Sequence, residues 1–448
     1  MTMEDLTIMN GKSSSMAWVI SISMGLGHMR AAYAIKDLAY EDIQMIGDIS
    51  TSSEDELKLW NTMRNSYELL SRLKKIPLIG NTLFSIVDNL QNIPPLYPFR
   101  DLSKPSYQTN LVFSYIKKGI GKKLYEKVSA HPLPVICSYP IAALIFDYYN
   151  YPVIYSIVCD AEISRVYVSK DPKKSRIHYL APTGRSVQRL KQYGVPDERI
   201  YLTGFPLPKK CLGDQSLNIL RNDLAQRLFY LDPENRFWPL HKVNVEHFLG
   251  SENMIFKNDR IFSITYAVGG AGALKEVGYE IAKSLREKIL KKEVKLNLVA
   301  GLREEVYKYF KDCLKDLNIP EDLVYILYSK EPAIYFDKFA NLMRVTDVLW
   351  TKPSELSFYA GLGLPIVMCE PLGAQEVFNK KWLLEIQAGI PQEDPKYTDQ
   401  WLFDLYKYGR LAESAWDGFL KARKYGTYKI EEIIRTGTFL RETNLLKR

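Results

Sequence analysis

Short apolar runs alternate with segments of helical periodicity along most of the chain. Ten of the apolar runs are bounded by turn residues and rich in β-branched side chains, which is typical of buried strands. In chain order they are residues 17–23, 135–138, 153–158, 177–181, 200–203, 260–268, 294–301, 323–328, 347–351 and 365–370. Strands that alternate with helices in this way predict parallel sheets covered by helices, an α/β fold.

The alternation starts twice, so we predict two doubly wound domains. A chain of 448 residues also exceeds what one hydrophobic core normally supports. The predicted parts are an N-terminal domain over 1–207 with a helical insertion at about 48–130, a linker or small insertion over 208–257, a C-terminal domain over 258–400, and a helical tail over 401–448.

Composition and charge narrow the class of protein. The chain is 46% hydrophobic and 25% charged, which are the values of a folded globular protein. Its 60 Lys and Arg exceed its 52 Asp and Glu, for a formal charge of +8. A mildly basic protein suits an acidic small molecule or an anionic membrane surface. No arginine-rich tail or nucleic-acid motif accompanies the charge, so we expect no nucleic-acid partner.

The cysteines and the N-terminal residues bear on the cellular compartment. The five cysteines are scattered without a C-x-x-C pair, so neither a disulfide framework nor a zinc site is predicted. The first fifteen residues are polar rather than basic and then apolar, which argues against a secretory signal. The most apolar region, 135–158, is interrupted by proline and polar residues and predicts no membrane span. A cytoplasmic protein is expected.

Two glycine-bearing turns join a strand to a helix. The first carries Gly25 and Gly27 and places His28 at the start of a helix, where free N–H groups favour an anion. The second, in the sequence AVGGAGA, carries Gly269, Gly270 and Gly272, and it is suited to cradling a diphosphate through backbone N–H groups without a metal ion. The alternative for each turn is a simple corner of an α/β fold, with His28 as a cap or surface residue.

Several segments in the same order resemble one enzyme family. They are GLGHMRAAYAI, VICSYPIAALI followed by VIYSIVCD, the passage from Arg176 that ends in GFPLP, AVGGAGA, and the passage from Thr346 that contains AQEVFN. Together they are similar to glycosyltransferases of the GT-B architecture, in particular the group that contains monogalactosyldiacylglycerol synthase and the N-acetylglucosaminyltransferase that makes lipid II. The resemblance implies two Rossmann-like domains facing a cleft. It also implies transfer of a sugar, with inversion, from a nucleotide-diphosphate sugar, expected to be a UDP-sugar.

The resemblance gives the candidate residues their roles. His28, at a helix start, is a candidate general base because imidazole titrates near neutral pH, and the resemblance favours that role. Asp160, at the end of a strand, is expected to orient the acceptor or assist the base, with a helix cap as the alternative. Gln375, Glu376 and Asn379 are expected to read sugar hydroxyls, or else to form an ordinary helix start. Lys352 and Arg303, each after a strand, are lesser candidates for phosphate contact, with surface charge as the alternative. The donor is a substrate, and neither a cofactor nor a metal ion is expected.

One position departs from the family pattern. Seven residues before the proline of the G-L-P sequence, where the family carries a glutamate that holds the ribose hydroxyls, this chain has Phe358. Glu355, three residues earlier, is the only nearby candidate for that role.

A basic and apolar segment suggests a membrane contact. Arg72, Lys74 and Lys75 precede the apolar residues Ile76, Leu78, Ile79, Leu83 and Phe84, a combination that suits a helix lying on an anionic bilayer. A helix packed into the core with a solvated end is the alternative. We therefore expect a hydroxyl acceptor, a lipid being one option, and peripheral contact with the inner face of the membrane.

Two other functions are compatible with the same motifs. A UDP-sugar 2-epimerase would release an epimerised sugar without an acceptor, although its usual carboxylate-rich cleft is not evident in the sequence. A protein that binds nucleotide sugars without turnover is favoured by the displaced Glu355. Persistent nucleotide binding without hydrolysis or transfer would identify it.

Overall fold

The computed structural model describes residues 16–23, 25–73, 93–257, 260–270 and 272–441. The chain divides into two compact units. The first unit comprises the chain up to Pro206 together with the segment from Tyr425 onward, and the second unit runs from Leu207 to Lys424.

The first unit is built on a parallel six-stranded sheet. Its strands are β1 (Trp18–Ile22), β2 (Gln44–Ile46), β3 (Val135–Cys137), β4 (Ile154–Ile157), β5 (Ile177–Ala181) and β6 (Ile200–Leu202). They lie in the order β2-β1-β3-β4-β5-β6, and every neighbouring pair is parallel. Its helices are α1 (Leu26–Ala34), α2 (Glu54–Leu73), α3 (Tyr107–Lys117), α4 (Lys122–Ser129), α5 (Pro140–Tyr148) and α6 (Gly184–Gln192). Every residue of β1, β3 and β4 is buried, as expected for a sheet that helices cover on both faces.

The second unit repeats this plan. Its strands are β7 (Phe262–Ala267), β8 (Val294–Gly301), β9 (Val324–Tyr328), β10 (Val348–Thr351), β11 (Ile366–Met368) and β12 (Gly389–Pro391). They are all parallel and lie in the order β12-β11-β10-β7-β8-β9. Its helices are α7 (Lys209–Leu212), α8 (Asn218–Tyr230), α9 (Trp238–Leu249), α10 (Lys275–Ser284), α11 (Arg286–Leu290), α12 (Glu304–Asp316), α13 (Pro332–Arg344), α14 (Ala374–Glu385), α15 (Thr398–Lys407) and α16 (Arg410–Lys421). A 3₁₀-helix spans Glu355–Leu362.

The predicted fold class is confirmed, since both units are parallel α/β domains of the Rossmann-like kind. All ten predicted strands are present within one or two residues of their expected bounds. The sequence missed β2 and β12, the short outermost strands of the two sheets. Their sequences are QMI and GIP, so a glutamine in β2 and a glycine and a proline in β12 prevent a continuous apolar run.

The stretch predicted as a linker or small insertion, 208–257, belongs to the second unit. The reason is Arg227 of α8, which is fully buried and donates hydrogen bonds to the carbonyl oxygens of Thr346, Leu362 and Met343 at 2.7, 2.7 and 3.0 Å. Its burial lowers the pKa of the guanidinium to about 10. Because Arg227 of α8 bonds three carbonyls of the second unit, the expected separate element is an integral part of that unit.

The predicted helical tail is shared between the two units. Helices α15 and α16 pack in the second unit, where a Cβ added at Gly418 would fall 3.1 Å from Ala388 Cβ. The last helix, α17 (Gly426–Thr436), belongs to the first unit. Its first residue lies so close to the backbone of Phe205 that a Cβ there would be 2.6 Å from the Phe205 carbonyl carbon, and Phe439 stacks on Tyr201 with ring centroids 4.8 Å apart.

Two further observations bear on the sequence predictions. All five cysteines are buried thiols, and none of them is in a disulfide. No helix in the described part of the chain is long and apolar enough to span a membrane. Of the proposed membrane segment, residues 74–84 lie outside the described residues.

Candidate functional site

The strand order of the first unit marks one candidate position. Chain order reverses between β1 and β3, because β2 lies on one side of β1 and β3 on the other. In open parallel sheets, ligands bind outside the carboxyl ends of the strands at such a reversal. Gly25 turns the chain there with φ = +81°, a conformation that glycine adopts without strain, and α1 begins at the next residue.

His28 lies in the first turn of α1 and is oriented from β3. Its Nδ1 lies 2.6 Å from the carbonyl oxygen of Ser138, the residue after β3. A carbonyl oxygen only accepts, so Nδ1 carries the proton and donates, and the lone pair of the neutral imidazole is on Nε2. The ring of Tyr139 meets the imidazole edge to face with centroids 5.2 Å apart. The half-buried imidazole therefore presents a defined tautomer at the strand ends.

Ser138 also connects His28 to the end of β4. Its carbonyl oxygen accepts a second, longer contact from Cys159 Sγ at 3.6 Å, and its hydroxyl donates to Ser21 Oγ at 3.0 Å. Asp160 follows Cys159 directly and accepts a long hydrogen bond of 3.4 Å from the Tyr167 hydroxyl. The structure thus places His28 and Asp160 at the same edge of one sheet, linked through the Ser138 carbonyl and the β4 strand end.

The second unit has its own reversal of chain order, between β7 and β10. The glycine-bearing turn follows β7 at that point. Gly272 has φ = +72°, and its N–H donates to the Gly269 carbonyl at 2.7 Å, which closes the turn. The predicted diphosphate cradle therefore lies at the position where a parallel sheet offers a ligand site.

Two cations from the neighbouring strands bracket this turn. Lys352 follows β10, and its side chain lies against the bare Cα of Gly269, where a Cβ would fall 3.0 Å from Lys352 Cδ and closer still to Cε. Arg303 follows β8, and its Nε donates to the Gly270 carbonyl at 3.1 Å. The glycine turn, Lys352 and Arg303 together form a frame with two cationic side chains, a combination that suits a diphosphate. Each cation also has an acidic neighbour: Glu376 pairs with Lys352, and Glu305 Oε1 lies 3.5 Å from Arg303 Nη1.

The start of α14 supplies the third side of the frame. Gly373 is the N-cap residue of this helix. Its backbone is extended, and as a glycine it has no side chain that could cap the helix. Glu376, in the first turn, pairs with Lys352 Nζ through Oε1 and accepts from the Leu372 N–H at 2.7 Å through Oε2. Gln375 is half-buried, and none of the described residues hydrogen-bonds its side chain.

Asn379 lies beneath the frame rather than on it. It is fully buried, and its amide nitrogen donates to the Pro353 carbonyl at 3.2 Å. The sequence predicted that Asn379 reads sugar hydroxyls. In the structure it fastens α14 to the segment that carries Lys352.

The departure at residue 358 is structural. Phe358 is buried in the 3₁₀-helix and contacts the Trp382 ring with centroids 5.2 Å apart. Residues three apart in a 3₁₀-helix eclipse one another, so half-buried Glu355 shares that face. The side chain that occupies the family's glutamate position is therefore part of the core.

Two neutral groups lie on or beside these strands, Tyr266 in β7 and Cys369 directly after β11. Burial raises the pKa of the Cys369 thiol to about 12, and burial is also the main cause that raises the pKa of Tyr266, whose hydroxyl bonds the Leu274 carbonyl. Neither group ionises near neutral pH, so the charge here belongs to Lys352 and Arg303 and to their acidic neighbours Glu376 and Glu305. Within the described ranges no three His, Cys, Asp or Glu side chains are grouped as a metal site requires.

The structure collects the predicted residues into two groups, one in each unit. The first contains Gly25, Gly27, His28 and Asp160. The second contains Gly269, Gly270, Gly272, Lys352, Glu376 and Gln375, with Glu355 and Asn379 in the adjoining segments. The sequence missed Ser138 and Tyr139, which orient His28. Both lie in the segment VICSYPIAALI, which carries part of the family resemblance, between a buried strand and the proline that starts α5.

No protein-family model matches the chain, and no curated protein matches it in sequence. Solved structures with a similar fold include S. aureus MnaA with UDP, at 12% identity and a TM-score of 0.44 over 82% of this chain and 91% of that one. UDP-GlcNAc 2-epimerase from Neisseria meningitidis bound to UDP-GlcNAc is similar at 14% identity and a TM-score of 0.42, over 79% of this chain and 87% of that one. MurG from Acinetobacter baumannii is similar at 15% identity and a TM-score of 0.41, over 79% of this chain and 88% of that one. These values carry nothing about activity, and the fold assignment rests on the two sheets.

Proposed function

We propose that this protein is a glycosyltransferase that uses a nucleotide-diphosphate sugar, with a UDP-sugar as the expected donor and a hydroxyl as the acceptor. In this proposal the second unit binds the donor and the first unit holds the acceptor. Three features of the described residues support it: the sequence motifs, the charged frame around the glycine turn, and the orientation of His28.

The frame around Gly269 and Gly270 carries the proposal. Sugar transfer releases a nucleoside diphosphate, and the reaction is faster where fixed positive charge and N–H groups stabilise that charge. Lys352 and Arg303 reach the glycine turn from strands on either side of β7, so three adjacent strand ends contribute to one anion site. A turn that only closed a corner would not require a cation on each side.

His28 has the properties that a general base needs. The Ser138 carbonyl holds the proton on Nδ1, which leaves Nε2 as the atom that accepts the acceptor's hydroxyl proton. The protonated imidazole that results remains hydrogen-bonded through the same Nδ1–H. Asp160, at the same sheet edge, is proposed to orient the acceptor. A positioned base contributes roughly 100-fold or more to the rate.

A ligand panel followed by a product assay tests the proposal. UDP, GDP, ADP and their sugar derivatives are compared by thermal shift, and the tightest-binding nucleotide sugar is then incubated with hydroxyl acceptors. The expected result is stabilisation by UDP that exceeds that by ADP, and an acceptor-dependent release of UDP. Release of an epimerised sugar without an acceptor would favour an epimerase. If no nucleotide shifts the melting temperature at millimolar concentration, the donor site is wrong.

Phe358 favours a second candidate, a protein that binds nucleotide sugars without turnover. The position of the family's ribose-holding carboxylate is occupied by a ring packed on Trp382. Binding of a UDP-sugar without hydrolysis, epimerisation or transfer to any acceptor in the panel would select this candidate.

A lipid acceptor and peripheral membrane contact are part of the proposal. In the described residues, Tyr97 and Phe99 are 62% and 61% exposed with ring centroids 5.1 Å apart, and Arg100 and Lys104 follow them. Exposed aromatic rings beside basic side chains suit the headgroup region of an anionic bilayer. Cosedimentation with anionic vesicles, weakened by salt and by joint replacement of Arg72, Lys74 and Lys75 with Gln, tests this contact. No cosedimentation at low salt would exclude it.

A further inference from the structure

Lys352 has a partner of its own within the donor site. The Glu376 carboxylate pairs with Lys352 Nζ, and the two side chains are only 13% and 20% exposed. A partly buried, hydrogen-bonded charge pair is worth more than an exposed one, since solvent screens it less. A diphosphate that binds the glycine turn therefore meets a cation that is already neutralised.

The two oxygens of Glu376 have separable tasks. Oε2 accepts from the Leu372 N–H, which precedes the helix and is a local capping contact. Oε1 pairs with Lys352, whose side chain lies over Gly269. The capping contact alone would be satisfied by Gln, whereas the pairing with Lys352 is strong only when the side chain is ionised.

We propose that Glu376 competes with the donor's diphosphate for Lys352 and so sets the discrimination between nucleotide sugar and free nucleotide. The inference rests on the proposed donor site. When the complete donor binds, the diphosphate takes Lys352, and the released carboxylate accepts hydrogen bonds from the sugar hydroxyls beside α14. When only a nucleoside diphosphate is bound, no sugar contact compensates for the broken ion pair. Glu376 therefore pairs with Lys352 again, and the product leaves.

This competition predicts that one substitution has unequal effects on two ligands. Glu376→Gln keeps the shape of the side chain and an oxygen for the Leu372 N–H, but it frees Lys352. UDP should bind about tenfold more tightly, because a charge-assisted pair no longer has to be broken. The UDP-sugar that the wild type binds most tightly should gain less or bind more weakly, because the carboxylate contact to the sugar is lost. A residue with a purely structural role would change both affinities by the same factor.

The chain offers a matched control on the same helix. Glu370 pairs with Lys380 at 3.1 Å and is 72% exposed, so Glu370→Gln removes the same charge close to α14 without touching Lys352. It should leave the Kd for UDP at the wild-type value. In a Lys352→Met background, Glu376→Gln should have no effect on UDP binding, since the group it competes for is absent. Circular dichroism and thermal unfolding without ligand verify that each variant is folded.

Isothermal titration of UDP into these variants decides the question. Three results together support the competition. UDP binds more tightly to Glu376→Gln than to the wild type, and it binds Glu370→Gln with the wild-type Kd. In the Lys352→Met background, Glu376→Gln no longer changes the Kd for UDP. If the wild type binds UDP and Glu376→Gln binds it equally well or more weakly, the competition is overturned. The proposed donor site is then unaffected. An equal gain in Glu370→Gln also overturns the competition, because the effect would then be one of net charge. Absence of UDP binding in every variant overturns the donor site itself.

Discussion

Gly269 offers a sharp test of the donor site, because its missing Cβ is what allows Lys352 to lie against the turn. An added Cβ would stand 3.0 Å from Lys352 Cδ, 3.2 Å from Nζ and closer to Cε. Carbon atoms in contact prefer roughly 3.5–4.0 Å, so in Gly269→Ala the end of the lysine side chain must move by about 1 Å. Because the displaced atoms are the flexible end of a side chain, we expect the free energy of unfolding to change by no more than about 1 kcal/mol.

Nucleotide binding should respond much more than stability. Charge-assisted hydrogen bonds are formed at about 2.7–2.9 Å, so a displacement of this size breaks the contact between Lys352 and a diphosphate. A hydrogen bond to a charged group contributes roughly 1.5–3 kcal/mol, which corresponds to a loss of roughly 10- to 150-fold in affinity. At a UDP concentration one hundred times the wild-type Kd, the wild type gains about 2.7 kcal/mol of stability. A variant with thirtyfold weaker binding gains about 0.9 kcal/mol.

The assay is a urea titration of each protein with and without UDP. Gly361→Ala is the matched control in the same unit, since a Cβ there would lie at an ordinary contact distance of 3.5 Å or more from its neighbours. We expect Gly361→Ala to bind UDP like the wild type. If Gly269→Ala does so as well, Lys352 does not contact the nucleotide and the interpretation of the frame is wrong.

The remaining predictions concern three other residues. His28→Ala should lower turnover by roughly 100-fold or more while the donor Kd stays nearly constant, and full activity in steady-state kinetics would remove His28 from the mechanism. Gln375→Ala should weaken the binding of the UDP-sugar but not of UDP, which calorimetry with both ligands can show or refute. Arg227→Ala should destabilise the protein by at least about 3 kcal/mol, because it leaves buried carbonyls without donors. Asn222→Ala, on the exposed face of the same helix, should cost little in the same urea titration, and a similar loss in both would contradict this role for Arg227.

The sequence alone predicted both sheets, because a fully buried parallel strand is recorded as a continuous apolar run. A glycine turn follows each of the buried strands β1 and β7, so the sequence alone located both candidate ligand-binding turns. The edge strands β2 and β12 could not be located in this way, since their sequences QMI and GIP contain a polar residue, a glycine and a proline and leave no continuous apolar run. The edge strand β6 is equally short, but its sequence IYL is apolar throughout.

Only the tertiary structure decided which residues meet. Strand order is set by pairing between distant segments, and it is this order that brings Lys352 to Gly269 across 83 residues of sequence and Ser138 to His28 across 110. The same is true of Arg227, whose burial joins the expected linker to the second unit. Local patterns determined the strands, helices and turns, because hydrophobic periodicity and glycine conformation are properties of neighbouring residues. Contacts between residues that are about 100 positions apart depend on tertiary packing, which no short stretch of sequence determines.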